Sequence, residues 1–216
     1  MNRRNLNSDT KYLKKQLKQI LEMEEKGIFP NTNFILDSYN IVFMYRDNDY
    51  YESDYMYNLY SSFIKKCIKE SIYILNIATS IDFIILFNKQ IDRIKYIFFF
   101  VNKVFMCLDK YYIKQKNLPS LKEQSFNLYI NDFFIPLKDI LFMSLTFFFK
   151  EIENKDSEQN QQNIKKVIKI MKELDELSKP KLVKKNNEII WANENNNIPP
   201  KKYELFDYWY NKLFLK

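Results

Sequence analysis

Four carboxylates stand inside otherwise apolar stretches, Asp82, Asp92, Asp109 and Asp132, and two thiols, Cys67 and Cys107, do the same. A carboxylate in such a setting acts as a general acid or base when a second group shares its site. A thiol becomes a nucleophile when a neighbouring base or cation lowers its pKa. The sequence supplies neither. It has no histidine, which removes Ser-His-Asp and Cys-His catalysis, most catalytic zinc sites and any imidazole proton shuttle. Its single glycine, Gly27, cannot make a G-x-G-x-x-G or Walker loop. None of the four acids has an evident partner, so they are expected to be solvent-facing breaks in helix stripes. The two cysteines are expected to be small core residues, and two cannot form a Cys-only zinc site. No catalytic residue, cofactor or metal is predicted.

The elements behind these residues are helices. Types I′, II′ and II turns need positive φ, and one glycine among 216 residues argues against many hairpins even though asparagine is plentiful. Leu13, Leu17, Ile20 and Leu21 predict a helix over 10–26, capped by Ser8 or Asp9 and stopped by Gly27 with Pro30 beyond. Asn31-Thr32-Asn33 offers a cap for a second helix. There Ile35, Tyr39, Val42 and Phe43 share one face and Leu36 widens it. Ser53 or Asp54 opens a third helix over 54–75, with Met56, Tyr60, Ile64, Cys67 and Ile68 in its stripe. The longest run, 81–113, steps by three or four from Ile84 to Leu108 and predicts one helix near 50 Å at ~1.5 Å per residue. A fifth helix is expected over 119–134, Pro136 kinks or divides it from the next, and Ile140 to Phe149 is helical again. Glu151 to Gln162 reads as a polar loop. Ile164, Val167, Ile168, Met171, Leu174 and Leu177 make a short amphipathic helix. Lys179 to Lys202 reads as a Pro-, Asn- and Lys-rich linker with Trp191 as its large anchor, and 203–216 as a helix cut short.

The net charge of +7 is spread, with lysines interleaved among acids as in 22–26 and 172–177. A nucleic-acid binder needs a concentrated stripe, so none is expected. The apolar runs are interrupted. Phe133 to Phe149 holds Lys138 and Asp139, and Ile94 to Leu108 holds Lys95 and Lys103, each costing ~2.5–3.5 kcal/mol at the centre of a membrane span. Burial against other helices is the better reading. The polar start MNRRNLNSDT is expected not to be a signal peptide, and the compartment is expected to be reducing, cytoplasmic and/or nuclear. A membrane-associated or basic nucleic-acid-binding helical protein stands as the alternative class.

What remains is binding chemistry, concentrated at Leu108–Asp132. A helix ends in Tyr111-Tyr112-Ile113, a basic joint comes next, and Leu118-Pro119-Ser120-Leu121 restarts a helix. Asn117 is expected as its cap and Pro119 in its first turn. Leu108-Asp109-Lys110-Tyr111-Tyr112-Ile113, with Leu118-Pro119-Ser120-Leu121-Lys122-Glu123 after it, resembles the segment of cullin N-terminal repeats that reads LDRYY and then LPSLxE. Ser125, Phe126, Leu128 and Tyr129 continue the pattern, and Ile130-Asn131 replaces the family's Arg-Asp. Pro136-Leu137 and Lys150-Glu151-Ile152-Glu153-Asn154 also fit. Asn33 to Phe43, Asp54 to Ile72, and Tyr203 to Leu215 are similar to the family's SFEELYRNAY, LYxxYxxxFxxY and YExxFExxFL stretches. Ile168 to Lys172 looks like the family's modified-lysine motif, but that motif belongs to a C-terminal winged helix, and chance helix periodicity explains it here.

The resemblance implies an all-α, elongated cullin-repeat-like helical bundle with one long central helix: a first repeat over 1–178, the linker over 179–202 and the start of a second repeat over 203–216. It implies a non-catalytic scaffold of a cullin-RING ubiquitin ligase acting in ubiquitin-dependent protein degradation. Its N-terminal tip would bind a Skp1/BTB-like adaptor or a propeller adaptor, and a RING subunit only through a C-terminal region elsewhere. Carried over residue by residue, the adaptor surface is Ile35, Leu36, Tyr39 and Phe43 on the second helix, with Tyr112, Leu118, Leu121, Lys122, Ser125 and Phe126 on the corner and fifth helix. Ile130 in place of arginine removes a charge contact from that surface.

Overall fold

A computed structural model describes residues 6–46, 50–78, 80–152, 162–163, 165–167, 169, 182–185 and 188–191. The chain divides into two compact units, Met1–Asn154 and Lys155–Lys216.

Helix α1 spans Leu6–Glu25 and buries Leu13, Leu17 and Ile20, the stripe that the spacing predicts. Its end is a Schellman motif. Gly27 has φ +66°, its N–H donates to Glu24 O at 2.9 Å, and the Ile28 N–H donates to Met23 O at 2.8 Å. The start differs from expectation. Asp9 lies inside the first turn rather than at the cap, and its carboxylate accepts from the Tyr45 hydroxyl at 2.7 Å, tying the start of α1 to the end of α2.

Helix α2, Thr32–Met44, begins at Asn31, whose side chain accepts from the Phe34 N–H at 2.8 Å. It buries only Ser38 and Val42. Its many apolar residues therefore face outward or sideways. Helix α3, Tyr50–Asn76, starts earlier than the spacing suggests, because Ser53 is not its cap: the Ser53 hydroxyl donates back to the preceding turn, lying 2.8 Å from Tyr45 O and 3.1 Å from Arg46 O.

Helix α4, Ser80–Phe105, is the centre of the first unit. It packs against α1, α2, α3, α6 (Leu121–Leu128) and α7 (Ile135–Ile152). Ile84, Phe87, Ile91, Ile97, Val101, Val104 and Phe105 are all fully buried, each such side chain contributing about 1.5–3 kcal/mol relative to exposure. Cys67 and Cys107 are buried, as expected, and burial pushes the Cys67 thiol up to about 12. Arg93, mostly covered, joins three helices through Glu24 of α1 (3.5 Å) and Glu70 of α3 (3.2 Å).

The long helix expected over 81–113 is interrupted. A turn at Met106 succeeds α4, then Asp109–Ile113 is π-helical and α5 is a single turn, Lys114–Lys116. A second π segment, Tyr129–Phe134, joins α6 to α7. It ends with the Ile135 N–H donating to Ile130 O, an i to i−5 bond. Pro136 therefore neither kinks nor divides a helix on its own. The wider π turn just before it opens the ladder where proline cannot donate.

The first unit is all-α among its described residues. In the second unit, Val167 lies in a helical turn and is buried. The other apolar residues of that expected helix, the expected loop beyond Ile152, and 203–216 lie outside the described residues, Gln162 apart, which is helical. Inside the stretch expected to be a linker, β1 (Leu182–Lys185) and β2 (Glu188–Trp191) pair antiparallel, with Leu182 opposite Trp191 and Val183 opposite Ile190. Val183, Ile189, Ile190 and Trp191 are strand-favouring types, a signal hidden by the surrounding asparagines and prolines.

Candidate partner-binding site

The candidate site is built on α2 and on the corner between α4 and α6. The corner is held from inside. Asn117, not a helix cap as expected, adopts the left-handed conformation (φ 52°, ψ 37°) that ends α5, and the Leu118 N–H donates to Ile113 O at 3.1 Å. Ser120 is the actual cap of α6. Its hydroxyl accepts from the Glu123 N–H at 3.2 Å, and the Glu123 carboxylate accepts from the Ser120 N–H at 2.8 Å, a complete capping box. Pro119 thus precedes the cap instead of occupying the first turn.

Asp109, expected as a solvent-facing break, is half-buried and accepts from the Leu121 N–H at 2.8 Å. It fixes the first residue of α6 to the end of the α4 column. Asp82 and Asp92 are exposed, as expected, and Asp132 is half-buried.

Three predicted site residues are internal. Leu121 is 1% exposed, Ser125 2% and Tyr112 5%. The Ser125 hydroxyl lies 2.8 Å from Leu121 O and 3.2 Å from Asn102 Oδ1, and it meets the Tyr60 hydroxyl, which is itself 2.7 Å from Asn102 Oδ1. Burial raises the Tyr60 pKa, keeping the phenol neutral as a member of this network. The Tyr112 hydroxyl donates to Asp54 of α3, and its ring lies 5.8 Å from that of Tyr57. These side chains shape the corner and offer nothing to a partner. The physical reason lies in the π segment. Its wider turn changes the phase at which residues leave the helix, so that Tyr112 points to the core.

Tyr111 takes the outward role. Its ring meets Phe43 of α2 edge-on at 6.4 Å, and Phe43 in turn lies 5.6 Å from Tyr39. The Arg46 guanidinium sits 3.4 Å from the Phe43 centroid and 4.5 Å from that of Tyr111, and the Lys110 ammonium is 5.1 Å from Tyr111. Partial burial raises the Tyr39 pKa, with Cys107 and Tyr111 adding to it and Arg46 and Lys110 opposing. Ile35, Tyr39 and Phe43 are half-buried, and Leu36 is 49% exposed. On the other strip Leu118 and Phe126 are half-buried and Lys122 is exposed. The two strips are linked through Asp109–Ile113, where Tyr111 reaches α2 and Asp109 holds α6. Tyr111, Arg46 and Lys110 are not among the expected site residues. The i, i+3 spacing of Phe43 and Arg46 is the available signal.

Half-buried rings, an exposed leucine and cations stacked on aromatic faces can make a hot-spot surface for a protein. Among the described residues there is no group of three or more Cys, Asp or Glu placed to hold a metal, and no helix long and apolar enough to cross a membrane. The family model for the cullin alpha solenoid domain matches residues 10–191. The chain belongs to the cullin family. No curated protein matches it. The cullin alpha solenoid domain is, in the family generally, a non-catalytic scaffold of ubiquitin ligases. The matched stretch includes both strips of the candidate site.

Proposed function

We propose that this cullin domain is the adaptor-binding end of a cullin-RING ubiquitin ligase and has no chemistry of its own. Its docking surface comprises Ile35, Leu36, Tyr39 and Phe43 of α2, with Tyr111 and Arg46, and continues onto Leu118, Lys122 and Phe126. The partner is a Skp1/BTB-like or other adaptor protein, and a RING subunit is held by a region of the scaffold outside this domain. The observation that carries this reading is α2 itself, a helix rich in apolar residues that buries only Ser38 and Val42. A helix of that composition is expected to bury more, and a partner groove supplies what the fold does not. In this reading 1–178 is the first repeat, joined through 179–202 to the beginning of the next, and the ligase works in the cytoplasm, the nucleus or both.

The test is affinity capture from source cells with the chain as bait, in parallel with the double variant Leu36→Lys, Tyr39→Lys. Both positions have solvent access, so far-UV circular dichroism should be unchanged. Recovery of a BTB-fold or propeller adaptor by the native bait and its loss with the variant are expected. Recovery of the same adaptor in equal yield by the folded variant would overturn the surface.

A further inference from the structure

A second apolar surface lies on the loop after Gly27 and the outer face of α4. Ile28, Phe29 and Phe99 are 52%, 73% and 56% exposed. They are held in place. The Tyr96 hydroxyl donates to Ile28 O at 2.6 Å, and its ring lies 5.7 Å from Phe29 and 4.8 Å from Phe100. Phe99 meets Phe100 edge-on at 5.0 Å. The Lys103 ammonium stands 4.0 Å from the Phe99 centroid and 5.8 Å from that of Phe100. Singly exposed apolar residues are ordinary, but a connected set of rings marks an interaction surface.

Charge identifies the occupant. Lys26 leads into the loop and Lys103 lies on the rings, while Glu24, the carboxylate that acts on Tyr96, is paired with Arg93 at 3.5 Å and Asp92, one turn before Tyr96, is followed by Lys95. An ammonium over an aromatic face keeps N–H donors for a carboxylate. A second copy of this chain would bring like charge to like, since the chain carries +7.

We infer that Phe29, Tyr96 and Phe99 with Lys103, backed from inside by the buried Phe100, form a docking site for an acidic segment of a partner protein. The segment sets a large apolar side chain against Phe29 and Phe99 and a carboxylate on Lys103. The proposal does not depend on the adaptor reading.

The test is fluorescence anisotropy of the whole chain with a fluorescein-labelled peptide carrying a central Phe-Leu pair flanked by glutamates. Saturable binding that weakens with salt is expected. Phe29→Ser and Lys103→Gln are each expected to weaken it about tenfold, the size of a single hot-spot loss, while Leu36→Lys leaves it unchanged. Both substituted side chains have solvent access, and circular dichroism checks the fold of each variant. Absence of binding, equal binding of the peptide with lysines for glutamates, or sensitivity to Leu36→Lys would overturn the proposal. So would stronger binding to phosphatidylserine vesicles than to the peptide, or self-association in sedimentation that Phe29→Ser abolishes.

Discussion

The chain turns two helical corners with the same backbone device and uses them differently. At the end of α1, Gly27 takes the left-handed conformation and Ile28 donates back to Met23. At the end of α5, Asn117 takes it and Leu118 donates back to Ile113. After Gly27 the loop projects Ile28 and Phe29 outward, pinned by one side-chain bond from Tyr96. After Asn117 the chain is gripped by the capping box of Ser120 and Glu123, by Asp109, and by the network of Tyr60, Asn102 and Ser125. The first corner presents a tip. The second aims a helix. One hydrogen-bond pattern thus serves two purposes, and the side chains just beyond it decide which.

If that contrast is right, the corners should fail differently. The largest effect is expected for Leu121→Lys, which places a charge at a site 1% exposed. Burying an unpaired charge costs several kcal/mol, so urea denaturation should show a loss of more than ~3 kcal/mol or no cooperative transition. Asp109→Ala comes next. It removes a charge-assisted bond to the first N–H of α6, worth about 1.5–3 kcal/mol, and hydrogen exchange should quicken in 121–128 ahead of α1. Gly27→Ala meets no atom within 4 Å of the added Cβ, so its cost is the left-handed backbone alone, roughly 1–2 kcal/mol. Asn117→Gly is expected to be the smallest, stabilising by up to ~1 kcal/mol because the position already has φ 52°.

The same contrast explains what is legible in the sequence. Gly27 announces its corner, since glycine has few other reasons to stand between an apolar stripe and a proline. Asn117 is ambiguous because asparagine both caps helix starts and tolerates the left-handed region. The pair Ser120 and Glu123 carries the correct answer. The stripes of α1, α3 and α4 are readable because their apolar steps of three and four stay on one buried face. The π segments are not, because Asp109–Ile113 and Tyr129–Phe134 keep the apolar composition of the helices they continue. That is why the sequence pattern puts Tyr112 at the surface, where the structure has Tyr111 against Phe43 instead. Leu121 and Ser125 lie in the regular turns of α6, and their burial is not legible because a resemblance gives positions along the chain and not which face is covered. Ile35, Leu36, Tyr39 and Phe43 keep solvent access because α2 is regular throughout.

The central claim is that the α2 face, not the buried corner, carries the energy of adaptor binding. Isothermal titration of the purified chain with the captured adaptor tests it most directly. Tyr39→Lys is expected to weaken the Kd by tenfold or more, about 1.4 kcal/mol or above, with the melting curve unchanged. Ser125→Ala, which alters the buried network, should lower stability by about 1–3 kcal/mol and leave the affinity of the folded protein within twofold. A Tyr39→Lys chain that binds as the native one does, with Ser125→Ala abolishing binding while folded, would contradict the account.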